Sequence, residues 1–101
     1  MPKKPPLPPT VQRLRARMDR LNTRLAALLQ MRARLALTIS RRKARLGLGA
    51  HDPARERRML RDVLRAAPPS GFPRESLERL FREVFAASRR LVVRDRSRKH
   101  S

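Results

Sequence analysis

The chain has no cysteine, no tryptophan and no tyrosine, only three glycines, and eight acidic residues against 27 Lys and Arg in 101 residues. Without cysteine there is neither a disulfide framework nor a thiolate metal site. The two histidines, His51 and His100, fall in an apparent loop and in the tail, so no histidine-based metal site is expected and no cofactor is implied. The three phenylalanines, Phe72, Phe81 and Phe85, do not sit among basic residues as a base-stacking platform would. No apolar run approaches membrane-spanning length. The first ten residues start basic but carry no apolar core of a signal peptide. The expectation is one domain, soluble and cytoplasmic, near the lower size limit for a single hydrophobic core.

What is present is positive charge, a formal +19 at pH 7. Such a charge is the usual footprint of nucleic-acid binding. Here, however, lysine occurs only at Lys3, Lys4, Lys43 and Lys99, and arginine is spread over every helical segment. The charge therefore reads as largely compositional, and a dedicated nucleic-acid role is not expected.

Residues 1–9 are proline-rich and read as a disordered or polyproline-like lead. Thr10 is a candidate N-cap, and a helical pattern runs from Val11 to about Leu46 without proline or glycine. Gly47-Leu48-Gly49-Ala50-His51 ends it. Asp52-Pro53 then supplies an N-cap and a proline at the first helical position. This second helix reaches about Ala67 and is broken by Pro68-Pro69-Ser70-Gly71. A third opens at Pro73 and is expected to end near Val92, leaving 93–101 as a frayed basic tail and 10–92 as the helical domain.

The first helix constrains the architecture. Its roughly 36 residues span about 54 Å, longer than a compact domain of this size is wide. Val11, Leu14, Met18, Leu21, Leu25, Leu28, Leu35 and Ile39 form a stripe along its whole length. Two shorter helices cannot cover that stripe, but a second copy of the long helix can. The pattern thus calls for an all-α, intertwined helical-bundle dimer; a simpler two-stranded coiled coil is the competing form.

Several polar residues fall on the apolar faces. At 100° per residue Arg32 lies within about 20° of Leu21, Leu25 and Ile39, and Lys43 lies about 20° from Arg32. Arg20, Arg34, Arg41 and Arg45 point to the opposite side. On the second helix Glu56 shares the face of Met59 and Val63, with Arg55 at its edge. On the third, Ser88 sits among Phe81, Val84, Phe85 and Val92. Each has a structural reading: Arg32 could snorkel, Glu56 could pair with an arginine, Ser88 could bond back to its own helix, and Arg15 could be a surface charge. Taken together, an acid and several cations on the inward faces of three helices suggest a polar pocket for an anionic ligand with more than one carboxylate.

The segments LRARMDRLNTRLAALLQMRARLALTISRRKARLG, HDPARE and LERLFREVFAASRRL resemble the small all-α chorismate mutases over about residues 11–92. The resemblance lies in an early arginine, another seventeen residues later, a lysine eleven beyond that, and D-x-x-R-E opening the second helix. It implies a domain-swapped homodimer with two active sites that converts chorismate to prephenate, an isomerase without cofactor or metal. By the same resemblance Arg15 would reach into the partner's site and join Arg32 and Arg55 in holding two carboxylates. Lys43 would contact a carboxylate and the ether oxygen. Asp52 and Glu56 would lie near the ring hydroxyl, and Ser88 near a carboxylate. One position departs from the family: Val92 stands where a Gln or Glu commonly bonds the ether oxygen. Arg89 or Arg96 could replace that donor, or a partner enzyme of the aromatic pathway could complete the site. A related chemistry (isochorismate-pyruvate lyase, aminodeoxychorismate mutase) and a non-catalytic basic dimer binding nucleic acid or protein are the alternatives.

Overall fold

A computed structural model describes residues 4–99, the side chain of Lys99 excepted. Three helices account for nearly all of it: α1 (Pro9–Arg45), α2 (Pro53–Ala66) and α3 (Arg74–Lys99). No strand occurs among the described residues. The all-α reading and the helix order follow the sequence pattern; the boundaries show where local chemistry decides.

α1 starts at Pro9, one residue before the expected cap. The carbonyl of Pro8 accepts the first helical bond from the Gln12 N–H at 3.1 Å, and the Gln12 side chain donates to the Leu7 carbonyl at 2.7 Å. Thr10 is thus inside the helix. At the other end Gly47 adopts φ +74°. Its N–H donates to the Ala44 carbonyl, and the Leu48 N–H donates to the Lys43 carbonyl at 2.9 Å. This pair of bonds is a Schellman cap, which needs a left-handed residue after the helix and so favours glycine. Asp52 caps α2 as expected: its Oδ1 accepts from the Arg55 N–H at 3.0 Å, with Pro53 in the first turn.

The third helix corrects the expected end near Val92: it continues to Lys99. Residues 93–99, expected to fray, are helical because two of them are tied to the end of α1 and the turn after it. Asp95 accepts two hydrogen bonds from Arg41, and Arg96 donates three to Ser40 and Leu48. These bonds are tertiary, so no local periodicity announces them. The last two residues of the expected tail lie outside the described part.

The chain divides into two units after Arg32. In the first, Leu14, Met18, Leu21, Leu25 and Leu28 are all exposed in the single chain, at 54–57 % of their surface. The second unit holds the end of α1 with α2 and α3, and α2 packs on α3. Its buried apolar residues are Phe85 and Val92, with Phe81 tilted against Phe85 at 6.2 Å between ring centroids. Among the described polar residues Ser40 is buried.

The glycine cap gives a sharp test. Gly47→Ala forces a Cβ into the left-handed region and should cost about 1–2 kcal/mol. Gly49 has neither a positive φ nor any atom within 4 Å of a new Cβ, so Gly49→Ala should be neutral or stabilising by up to about 1 kcal/mol. Urea unfolding at one fixed protein concentration separates the two; equal effects would mean that Gly47 does not form the cap.

Candidate functional site

Lys43 stands in the last turn of α1, half-buried, and its carbonyl accepts both the Leu46 and Leu48 N–H groups. The Schellman cap therefore fixes the backbone from which the ammonium projects. Asp52 follows across the short connection to α2, exposed, with one carboxylate oxygen committed to capping. Arg55 and Glu56 occupy the first turn of α2, Arg55 exposed and Glu56 half-buried.

Glu56 forms an ion pair with Arg89 of α3. Packing of α2 on α3 thus brings Glu56 beside the residue that follows Ser88. Ser88 is half-buried and its hydroxyl donates to the Val84 carbonyl at 3.0 Å, the back-bond common for serine within helices. One turn on, Val92 is buried. Helix α3 thus extends past this position, and Val92 packs as part of the apolar core of its unit. The Glu56–Arg89 pair answers in part how an acid tolerates an apolar face, with Glu56 still partly in contact with solvent.

Arg15 and Arg32 belong to the first unit. Arg15 is exposed on α1 and Arg32 is half-buried. Arg20, Arg34, Arg41 and Arg45 are exposed, as their side of the helix demands.

Of the two arginines considered as substitute donors, Arg89 is engaged by Glu56, and Arg96 uses Nε, Nη1 and Nη2 on Ser40 Oγ, the Leu48 carbonyl and the Ser40 carbonyl, each at 2.9 Å. Arg96 is therefore built into the scaffold. Beside it Arg41 grips Asp95 with two bonds, at 2.9 and 3.1 Å. Hydrogen bonding to Asp95, then its charge, raises the Arg41 pKa further above the ordinary value. Sequence reasoning missed Ser40, Arg41 and Asp95 as a group. The available signal was Asp95 itself, the one acid among the basic residues after Glu83. Among the described residues no cluster of His, Asp or Glu could hold a metal ion, and no helix is long and apolar enough to cross a membrane.

The order and placement of these residues can be compared with known proteins. The family model for chorismate mutase type II matches residues 14–93, a span containing every candidate residue from Arg15 to Val92. The chain belongs to the chorismate mutase type II family. Chorismate mutase from Thermus thermophilus, in its form II structure, is 40% identical with a TM-score of 0.79, over 84% of this chain and 96% of that one. The form I structure gives 40% identity and a TM-score of 0.74, over 78% and 98% of the two chains. The bifunctional chorismate mutase/prephenate dehydratase of Aquifex aeolicus is 34% identical over 80 residues, 76% of this chain but 22% of that protein. The chain therefore spans about a fifth of the length of that larger relative.

The ion pair on the α2–α3 face makes a measurable claim. Arg89 and Glu56 retain 44% and 23% of their side-chain exposure, so solvent screens them and their coupling should be only about 0.5–1 kcal/mol. A double-mutant cycle with Arg89→Ala and Glu56→Gln, read by urea unfolding, measures it. A coupling indistinguishable from zero would mean that the two side chains do not meet in solution.

Proposed function

We propose that this chain is a chorismate mutase, an isomerase that rearranges chorismate to prephenate on the route to phenylalanine and tyrosine. The observation that carries the reading is one ordered set. Arg15, Arg32, Lys43, Asp52, Arg55, Glu56 and Ser88 occupy the family's spacing on a three-helix chain whose 40% identical relative is covered almost end to end.

The chemistry asks little of the protein beyond positioning and charge. The substrate rearranges within one molecule, with no nucleophile and no obligatory proton transfer. Holding the folded conformer removes orientational freedom before the reaction. Charge then develops, negative on the ether oxygen and positive toward the ring, and fixed groups can stabilise it. Arg32, Arg55 and a partner's Arg15 hold the two carboxylates. Lys43, on its capped last turn, serves the ether oxygen and a carboxylate. Asp52 and Glu56 lie toward the ring hydroxyl, and Ser88 toward a carboxylate. Arg89 keeps Glu56 in place from α3.

The working form is a homodimer. The exposed leucines of α1 support it, since a second copy of the same helix supplies an apolar face of the same length and character. A cytoplasmic location suits a pathway enzyme of this kind.

Val92 limits the rate. Valine offers no side-chain donor, and loss of one donor to a developing oxyanion costs about 10²–10³ in rate. With Arg96 bound to Ser40 and Leu48, that loss is not made good from the end of α3. A slow enzyme, or one that gains from a partner enzyme of the same pathway, follows from this reading.

Ultraviolet assay of chorismate loss with product identification tests the proposal. Prephenate is the expected product; untouched chorismate together with release of salicylate and pyruvate from isochorismate would move the assignment to a lyase. Arg32→Ala and Lys43→Ala should each remove most activity, a loss of about 10²-fold or more, Lys43 because it meets the charge developing on the ether oxygen and Arg32 because it holds the substrate in the reacting conformer. Arg34→Ala, on the exposed side, should change turnover less than about twofold, as surface substitutions usually do. Equal losses at Arg32 and Arg34 would show that the site lies elsewhere.

A further inference from the structure

Lys43 occupies one of the least secure positions in a helix. It is close to the end of α1 (Pro9–Arg45), where the last carbonyls depend on partners beyond the helix, here the Gly47 and Leu48 N–H groups, and where a turn opens easily once those partners move. A lysine ammonium that must meet a developing charge loses its value if the backbone beneath it frays, since displacement of a catalytic group by about 1 Å can cost 10²-fold.

Arg96 addresses this position from the far end of the chain. Its guanidinium grips Ser40, one turn before Lys43, on both the hydroxyl and the carbonyl. The same group also donates to the carbonyl of Leu48, five residues after Lys43. Leu48 in turn donates its N–H to the Lys43 carbonyl. One side chain thus brackets Lys43 on both sides and closes a ring through its own backbone. Ser40 is buried at 4% exposure, which shields the two bonds to it from competing water and gives them more weight than exposed ones would have, while the bond to Leu48 is exposed. The neighbouring Arg41–Asp95 pair ties the same two helical segments at a second point, in a more exposed setting.

We propose that Arg96 is a positioning residue for Lys43. The clamp from α3 holds the last turn of α1 and the following turn in the one arrangement that aims the ammonium. This inference rests on the chorismate mutase reading, in which Lys43 touches the substrate. It also assigns a purpose to residues 93–99, which extend α3 beyond its buried core.

The test is a double-mutant cycle on the full-length chain, with kcat and KM for chorismate measured for wild type, Arg96→Ala, Lys43→Ala and the double variant. Arg96→Ala should lower kcat/KM about ten- to a hundredfold, mostly through kcat. In the Lys43→Ala background the same change should cost less than about twofold, because residues that act through one another are not additive. Arg96→Lys, which can keep one of the three bonds, should fall between wild type and Arg96→Ala. Hydrogen exchange gives a readout independent of turnover: the Gly47 and Leu48 amides should lose protection in Arg96→Ala while those of Phe85 and Val92 keep theirs. An equal loss of kcat/KM in both backgrounds would overturn the inference and leave Arg96 a general stabiliser. So would unchanged protection at Gly47 and Leu48, including where Lys43→Ala is too slow to assay. A wild-type chain that leaves chorismate untouched overturns the functional reading instead, which distinguishes the two failures.

Discussion

Leu14, Met18, Leu21, Leu25, Leu28, Leu35 and Ile39 line one face of α1, and in a single chain each keeps more than half of its surface in water. Covering the exposed part of each would contribute roughly 1 kcal/mol. The sum over the stripe is comparable to the entire stability of a small domain. Against this, the second unit buries only Phe85 and Val92 among its described apolar residues, a small core even for a short chain. The apolar face of α1 is thus the largest uncollected source of stability in the molecule. Pairing with another copy is the cover proposed for it.

Burial of that face also gives the polar residues their meaning. Arg32 and Lys43 interrupt a stripe that would pack better with leucine, and each adds to an already high positive charge. Charged groups retained in such positions cost stability unless partners or ligands compensate them. Glu56 has such a partner in Arg89. On the proposed reading a dicarboxylate substrate meets Arg32 and Lys43, and enclosure within a dimer would strengthen their hold on charge developing in the reaction. Val92 is buried in the core of its unit; on the proposed reading, that packing stands where a donor to the ether oxygen would otherwise act.

Much of this was legible in the sequence, for local reasons. Gly47 after a long period-3.6 pattern, Asp52-Pro53 before the next, and Pro68-Pro69 between the second and third are signals whose physics lies within a few residues. The bonds found at Gly47 and Asp52 are those the residue types call for. The end of α3 was not legible, because Asp95 and Arg96 remain helical through partners more than fifty residues away. The candidate site divides along the same line. Spacing and family resemblance nominate Arg15, Arg32, Lys43, Asp52, Arg55, Glu56 and Ser88. Which arginine meets Glu56, and which is held by Ser40, depends on how α3 lies against the other elements of its unit. Thr10 shows the limit in miniature: a good cap residue lies inside the helix, whose first bond is accepted by the carbonyl of Pro8, two residues before it.

Assembly, helicity and the site stand or fall together if the stripe of α1 is covered only by a second copy, and dilution tests this most directly. Circular dichroism, sedimentation and chorismate turnover per chain can be followed on one sample from high to low protein concentration. Helical signal and specific activity should decline together as the dimer dissociates, and the thermal midpoint should fall with concentration. A chain that stays fully helical and equally active as a monomer at the lowest concentration would contradict the account.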